Sequence, residues 1–261
     1  MSALDMNFNY NDKKMKMKKF YLLVSLYAFT LIMTSCLGEG SRNYSETSVV
    51  YIDIDLASGK TYGKTLTGRL ITSNEIQLML PGSFKFFNYS WDEAYGTTLI
   101  SQSSVDNVVI SGDPVDISRT PLSLSEPPVV DEPVTFLAMG EPYYVNNEQY
   151  LGDHWLFEYA YETRKGESAH VQFYKVDDSE LLENEVLLEI RLVITGTPEE
   201  GASLTSKTDI VAVNMGPLRS YFEAMGQSRK DVKIKFQYHQ KNRTEVVKMA
   251  NTYLMTVGGE S

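Results

Sequence analysis

Val186-Leu187-Leu188-Glu189-Ile190-Arg191-Leu192-Val193-Ile194 decides the fold class. Leu188, Ile190, Leu192 and Ile194 share one side of an extended chain, because successive side chains of a strand point to opposite faces. The strand is expected over Glu185–Thr195. A second segment repeats the pattern. Val232, Ile234, Phe236 and Tyr238 stand on one side, with Lys233, Lys235, Gln237 and His239 opposite, within an expected strand Asp231–His239. Val134–Met139, Tyr150–Tyr161, Ala169–Val176 and Thr208–Asn214 read the same way, and Pro217–Met225 reads as one short helix stopped by Gly226. Two-faced strands at this spacing predict an antiparallel β-sandwich over 134–257.

Upstream, short strands are expected at Ser48–Leu56, Thr65–Ile71, Glu75–Leu80, Phe84–Trp91, Thr97–Ser101 and Asn107–Ser111. So many strands in so short a stretch predict a small barrel over 48–118. Pro114, Pro121, Pro127, Pro128 and Pro133 then punctuate the chain, five of its nine prolines. Proline cannot donate to a central ladder. Residues 114–133 therefore read as a connection, touching a strand near Val115–Ile117, with the linker proper at 119–133. The whole is an all-β protein: a barrel followed by a sandwich.

The N-terminus carries a different signal. Lys13, Lys14, Lys16, Lys18 and Lys19 precede an apolar run from Phe20 to Met33, and Thr34-Ser35-Cys36 follows. A basic segment, an apolar segment too short to span a bilayer and a small-residue cleavage site make a secretory signal peptide over 1–35. Residues 1–14 are more than an ordinary signal needs, and Met15 or Met17 would start a more ordinary one, so a misplaced start codon or an unstructured extension is expected. Ile32-Met33-Thr34-Ser35-Cys36 resembles the bacterial lipobox, in which the cysteine thiol receives a diacylglycerol. Cys36 is the one cysteine of the chain, and a thiolate is the nucleophile such chemistry requires. The resemblance implies lipidation at Cys36 and attachment to a membrane. Leu37 to Glu46 is small and polar, so 36–47 reads as a lipidated tether.

Residues 1–35 hold five Lys and two Asp. The remaining 226 residues therefore carry 19 basic and 32 acidic side chains, a formal charge near −13. That balance excludes nucleic acid as a partner, since phosphate neutralisation dominates such binding.

Four segments together resemble the NigD-like lipoproteins of Bacteroidetes. They are Thr34-Ser35-Cys36-Leu37, then Gly112-Asp113-Pro114-Val115-Asp116-Ile117, then Gln149-Tyr150-Leu151 through Phe157-Glu158-Tyr159 with His170-Val171-Gln172-Phe173. Last come Leu187-Leu188-Glu189-Ile190-Arg191 and Val211 through Leu218. The resemblance implies an N-terminal OB-like barrel and a C-terminal β-sandwich behind a lipobox. It implies an outer-membrane lipoprotein of the cell envelope, facing the periplasm or the surface. It transfers no chemistry.

The residues themselves point to binding rather than catalysis. His154, His170 and His239 stand far apart, with no metal-ligand spacing. There is no GxSxG elbow. The acid pairs Asp92-Glu93, Asp131-Glu132, Asp177-Asp178 and Glu199-Glu200 lie in expected turns. No catalytic residue, cofactor or metal site is assigned. Phe84, Phe86, Tyr89, Trp91 and Tyr95 crowd one segment and form the candidate binding face. The expectation is a non-enzymatic lipoprotein that binds or scaffolds a glycan, a peptide or another envelope protein. The alternatives are an envelope hydrolase with an unrecognised site, or an accessory of a secretion or bacteriocin system.

Overall fold

The computed structural model describes residues 43–258 apart from 101, 147, 227 and 228. The signal segment, Cys36 and most of the tether lie outside the described residues. Residues 45–91 and 95–258 fall in one compact unit.

The barrel is built from β1 (Tyr44–Ile54), β2 (Thr61–Thr65), β3 (Leu70–Thr72), β4 (Phe84–Trp91), β5 (Thr97–Ile100) and the first part of β6 (Ser103–Ser123). β1 pairs with β2, β2 with β3, β3 with β6, β6 with β4, and β4 returns to β1. The circuit closes, which removes free edges. β3 and β6 run parallel, with Ile71 opposite Asp106, while β4 and β6 run antiparallel. The resemblance implied an OB-like barrel, and a closed small barrel is what these strands form. The last residues assigned to the tether, 44–47, already belong to β1.

Two expected strands are corrected. Thr65–Ile71 straddles a turn between β2 and β3, because Gly68 has φ +87°, a left-handed backbone that a strand cannot hold. Glu75–Leu80 is not a strand either. Asn74–Gln77 forms the one-turn helix α1, whose first amides are capped by the Ser73 hydroxyl accepting from Ile76 N at 3.2 Å. Ile76 seats the turn in the core, whereas Leu78 and Leu80 are largely exposed.

β6 also overturns the linker at 119–133. A single strand runs through Pro114 and Pro121 to Ser123, and only the stretch after it is a connection. The prolines fit for a local reason. Phe86 faces Val115 and Asn88 faces Ser111, so 112–114 bulge out of the ladder opposite Phe87, with Gly112 at φ +78°. Within a bulge the missing N–H of Pro114 breaks no ladder bond. Pro121 sits at the end of its pairing, opposite Asn214.

Beyond the bulge β6 enters the sandwich. One sheet holds β6, β11 (Thr205–Asn214), β8 (His154–Thr163) and β7 (Ala138–Met139). The other holds the tip of β6, β9 (Glu167–Val176), β10 (Glu185–Gly196), β12 (Lys230–Tyr238) and the short β13 (Val247–Lys248) and β14 (Tyr253–Val257). The expected strand Tyr150–Tyr161 divides into α2 (Glu148–Leu151), a turn and β8. The helix expected at 217–225 is α3 (Gly216–Ala224), with Pro217 in its first turn.

The sandwich is mixed rather than antiparallel. β6 runs parallel to β11 and to β9, and β10 runs parallel to β12. Parallel neighbours require a crossover. The segment from β10 through β11 and α3 to β12 provides one, and the long path from β6 to β9 another.

Leu188, Ile190, Ile234 and Phe236 meet Trp155, Phe157, Val211 and Val213 in the main core. A second core joins the halves: Val49, Tyr51, Phe84 and Ile117 of the barrel pack on Leu151, Leu156 and Ala212. β8 and β11 are therefore buried on both faces near this junction, which accounts for their near-continuous apolar runs.

Candidate functional site

The five aromatic residues do not share a face. Alternation along β4 places Phe84 toward the sandwich and Tyr89 on the opposite side, and both are fully buried. Phe84 belongs to the junction core. Tyr89 packs edge-on to Phe87 and donates to Glu46 Oε2 at 2.8 Å. Phe86 is part-exposed next to Val115, its cross-strand partner. Trp91 is half-buried at the end of β4, with its indole N–H 3.4 Å from the Gly96 carbonyl. Tyr95 is exposed.

Tyr95 and Trp91 nevertheless lie beside a cleft. About 380 Å³ opens between the end of β3, α1, β5 and β6, lined by Thr72, Ser73, Asn74, Glu75, Gln77, Thr98, Asn107, Val108 and Val109. Asn107 organises it. Its Nδ2 donates to the Tyr95 carbonyl at 2.9 Å, and its Oδ1 accepts from Thr98 Oγ1 at 2.7 Å. Its backbone N–H donates to the Gly96 carbonyl at 3.1 Å. Trp91 stands opposite Val108 across the ladder. Ser73 caps α1, and Asn74, Glu75 and Gln77 of that turn line the opening. Glu75 is held below the usual carboxylate range by its hydrogen bond with Ser73 and by its own backbone N–H.

The lining is hydroxyls and carboxamides with one acid, no cation and a strip of valine. Hydroxyls and carboxamides both donate and accept. Such a wall matches neutral ligands rich in hydroxyl groups. It offers no Arg or Lys to a phosphate, and Glu75 stands in the first turn of α1 where an anion would sit. Asn107, Thr98 and the α1 turn are site residues that sequence reading did not single out.

The three histidines are placed as follows. His154 packs against Phe84 and Tyr51, with ring centroids at 5.2 and 6.2 Å, and its Nδ1 lies 3.1 Å from the Leu151 carbonyl. Burial holds its pKa below the ordinary value of 6.5, a lowering that hydrogen bonds to the Leu151 and Gly152 backbone partly oppose. His170 lies on the exposed side of β9 beside Thr195. His239 lies nearest a buried acid, with Nε2 3.7 Å from Glu189 Oε1. Glu189 is already engaged on both oxygens, by Arg191 Nε at 2.6 Å and Gln237 Nε2 at 2.8 Å. Both oxygens of this carboxylate are therefore occupied by hydrogen-bond donors. Among the described residues no group of three or more His, Cys, Asp or Glu is arranged to hold a metal.

No family model matches the chain, and no curated protein matches its sequence. Solved structures do. A candidate lipoprotein from Bacteroides fragilis is 14% identical with a TM-score of 0.53, over 81% of this chain and 97% of that one. An uncharacterized protein from Parabacteroides merdae is 12% identical with a TM-score of 0.52, over 83% of this chain and 100% of that one. A NigD-like immunity protein from Bacteroides caccae is also similar, at 12% identity and a TM-score of 0.46, over 81% of this chain and 97% of that one. The chain thus has the all-β fold of the Bacteroides fragilis and Parabacteroides merdae proteins across nearly their whole length.

Proposed function

We propose that this chain is a non-enzymatic binding protein of the bacterial cell envelope, anchored through lipid on Cys36, whose barrel cleft takes a neutral glycan. The observation that carries the ligand class is the composition of the cleft wall, with its hydroxyls, carboxamides and a single acid. Tyr95, whose backbone carbonyl holds Asn107 of the wall, is an exposed aromatic next to it in the chain fold. The volume falls within the range of small-ligand sites.

The anchor rests on Thr34-Ser35-Cys36 behind a basic and an apolar segment. It is supported by a fold shared with a candidate lipoprotein. No helix among the described residues is long and apolar enough to cross a membrane. Two acyl chains are enough for stable attachment. The outer membrane is the membrane we assign.

Two experiments test the reading. Neutral and sulfated oligosaccharides are titrated into the full chain. Neutral ones are expected to bind, and Asn74→Ala with Gln77→Ala to weaken binding about ten-fold, or 1.4 kcal/mol. Equal binding of sulfated sugars, or indifference to both substitutions, overturns the glycan assignment. Metabolic palmitate labelling compares wild type with Cys36→Ala; label retained in the alanine variant overturns the anchor.

A further inference from the structure

A second cleft lies on the sandwich, away from the barrel. About 410 Å³ opens between the loop joining β9 to β10 and the end of α3. Its floor is Val186 and Phe222, both buried. Three large apolar side chains stand open around it: Leu182 at 61%, Tyr221 at 40% and Met225 at 55% exposure. Leaving such groups in water is unfavourable by about 25 cal/mol for each Å² of apolar surface. Contiguous exposed apolar patches mark interaction sites.

The loop is acidic. Lys175-Val176-Asp177-Asp178-Ser179-Glu180-Leu181-Leu182-Glu183-Asn184-Glu185 carries five acids and one lysine. Lys175 is taken by Asp177. Glu185 is taken by Lys235 at 3.2 Å and Lys233 at 3.7 Å. Asp178, Glu180 and Glu183 form no ion pair among the described residues. Open apolar side chains therefore sit within reach of unneutralised carboxylates.

We propose that this cleft docks a cationic amphipathic peptide segment of a partner protein. One apolar side chain of the partner enters between Leu182, Tyr221 and Met225, and flanking Lys or Arg side chains meet Asp178 and Glu183. Charge complementarity selects this occupant. A second copy of the chain brings the same acidic loop and a net charge of −10, so like charges would face each other. Anionic lipid and nucleic acid are repelled for the same reason. The site is independent of the barrel cleft.

The test titrates a 14-residue helical Leu/Lys peptide (length about four turns) into the full chain by calorimetry, with a Leu/Glu peptide as control. The Leu/Lys peptide is expected to bind, and to bind more weakly as salt rises. Asp178→Asn with Glu183→Gln is expected to weaken it about ten-fold, and Leu182→Ser with Tyr221→Ser about ten-fold. Glu183, Leu182 and Tyr221 are exposed and Asp178 is half-buried, its Oδ1 accepting from Glu180 N at 2.9 Å, a bond that Asn can keep; circular dichroism checks that each double variant is folded. Absence of binding, or affinity unchanged in either double variant, overturns the proposal. So does a dimer in sedimentation that Leu182→Ser with Tyr221→Ser disperses, since the occupant would then be a second copy.

Discussion

Arg219 grips Asp153 at two points, Nε to Oδ2 at 2.9 Å and Nη2 to Oδ1 at 3.0 Å, both side chains being 14% exposed. The guanidinium also reaches the Thr256 carbonyl, so one side chain joins α3 to the start of β8 and to β14. Asp153 itself has φ +63°, an unusual backbone for a residue other than glycine. Arg219→Ala leaves this carboxylate half-enclosed and unmatched, and should cost about 3 kcal/mol in urea unfolding. Arg219→Lys keeps the charge but not the two-point geometry. It should fall between wild type and the alanine variant.

Gly152, one residue earlier, is fixed by the barrel. Its φ is +58°, and an added Cβ would stand 2.3 Å from the Tyr51 hydroxyl oxygen. Gly152→Ala should destabilise by about 2 kcal/mol, through backbone strain and overpacking together. Tyr51→Phe removes the oxygen and so the worse part of the clash, leaving ring Cζ at 2.8 Å. The double variant should therefore be more stable than the two separate losses predict, as a double-mutant cycle would show. Simple additivity would mean that the close approach does not exist.

The two tryptophans fall one in each half, Trp91 on β4 and Trp155 on β8. Trp91→Phe and Trp155→Phe thus give two proteins, each with a single fluorescent reporter. Because β6 and the junction core belong to both halves, the two reporters should follow one denaturant transition with the same midpoint. Separate midpoints would show that the barrel and the sandwich unfold independently.

His154 links stability to pH. Burial lowers its pKa in the folded chain, with Arg119 adding to the lowering and Asp153 opposing it. Above the ordinary value of 6.5 the ring is neutral in both states and has no effect on the pH dependence. As pH falls below that value, the unfolded chain takes up a proton that the folded chain refuses, and stability declines until the folded pKa is passed. Between about pH 7 and 5, urea midpoints should drop for wild type and drop less for His154→Gln. Parallel slopes in the two proteins would refute this role.

Strands with a fully buried face are plain in the sequence, as at Leu188–Ile194 and Val232–Tyr238, because a period of two is a local property. α1 was hidden by coincidence. Ile76, Leu78 and Leu80 alternate like a strand, yet two of the three point into water; the telling residue is the Ser73 cap. The path of β6 through Pro114 was not readable, because the bulge that admits the proline depends on Phe86 and Asn88 of a distant strand. The barrel cleft was not legible, and none of the five aromatics singled out in the sequence is in its wall. Its wall is assembled from Thr72, Gln77, Thr98 and Asn107, which neighbour one another only after β3 and β6 align. Alternation along β4 does separate Phe84 from Tyr89. It cannot show that the sandwich covers Phe84 and leaves Phe86 part-exposed.

The 21-residue strand β6 closes the barrel with residues 103–117 and enters both sheets of the sandwich with its last six residues. A cut on either side of Gly112 would take a stave from one half or a rung from the other. The halves are therefore poor currency for gene recombination. A barrel borrowed from elsewhere would have to bring, beyond its own closure, six residues in register with β11 and β9. Either half could be exchanged only together with the matching stretch of β6.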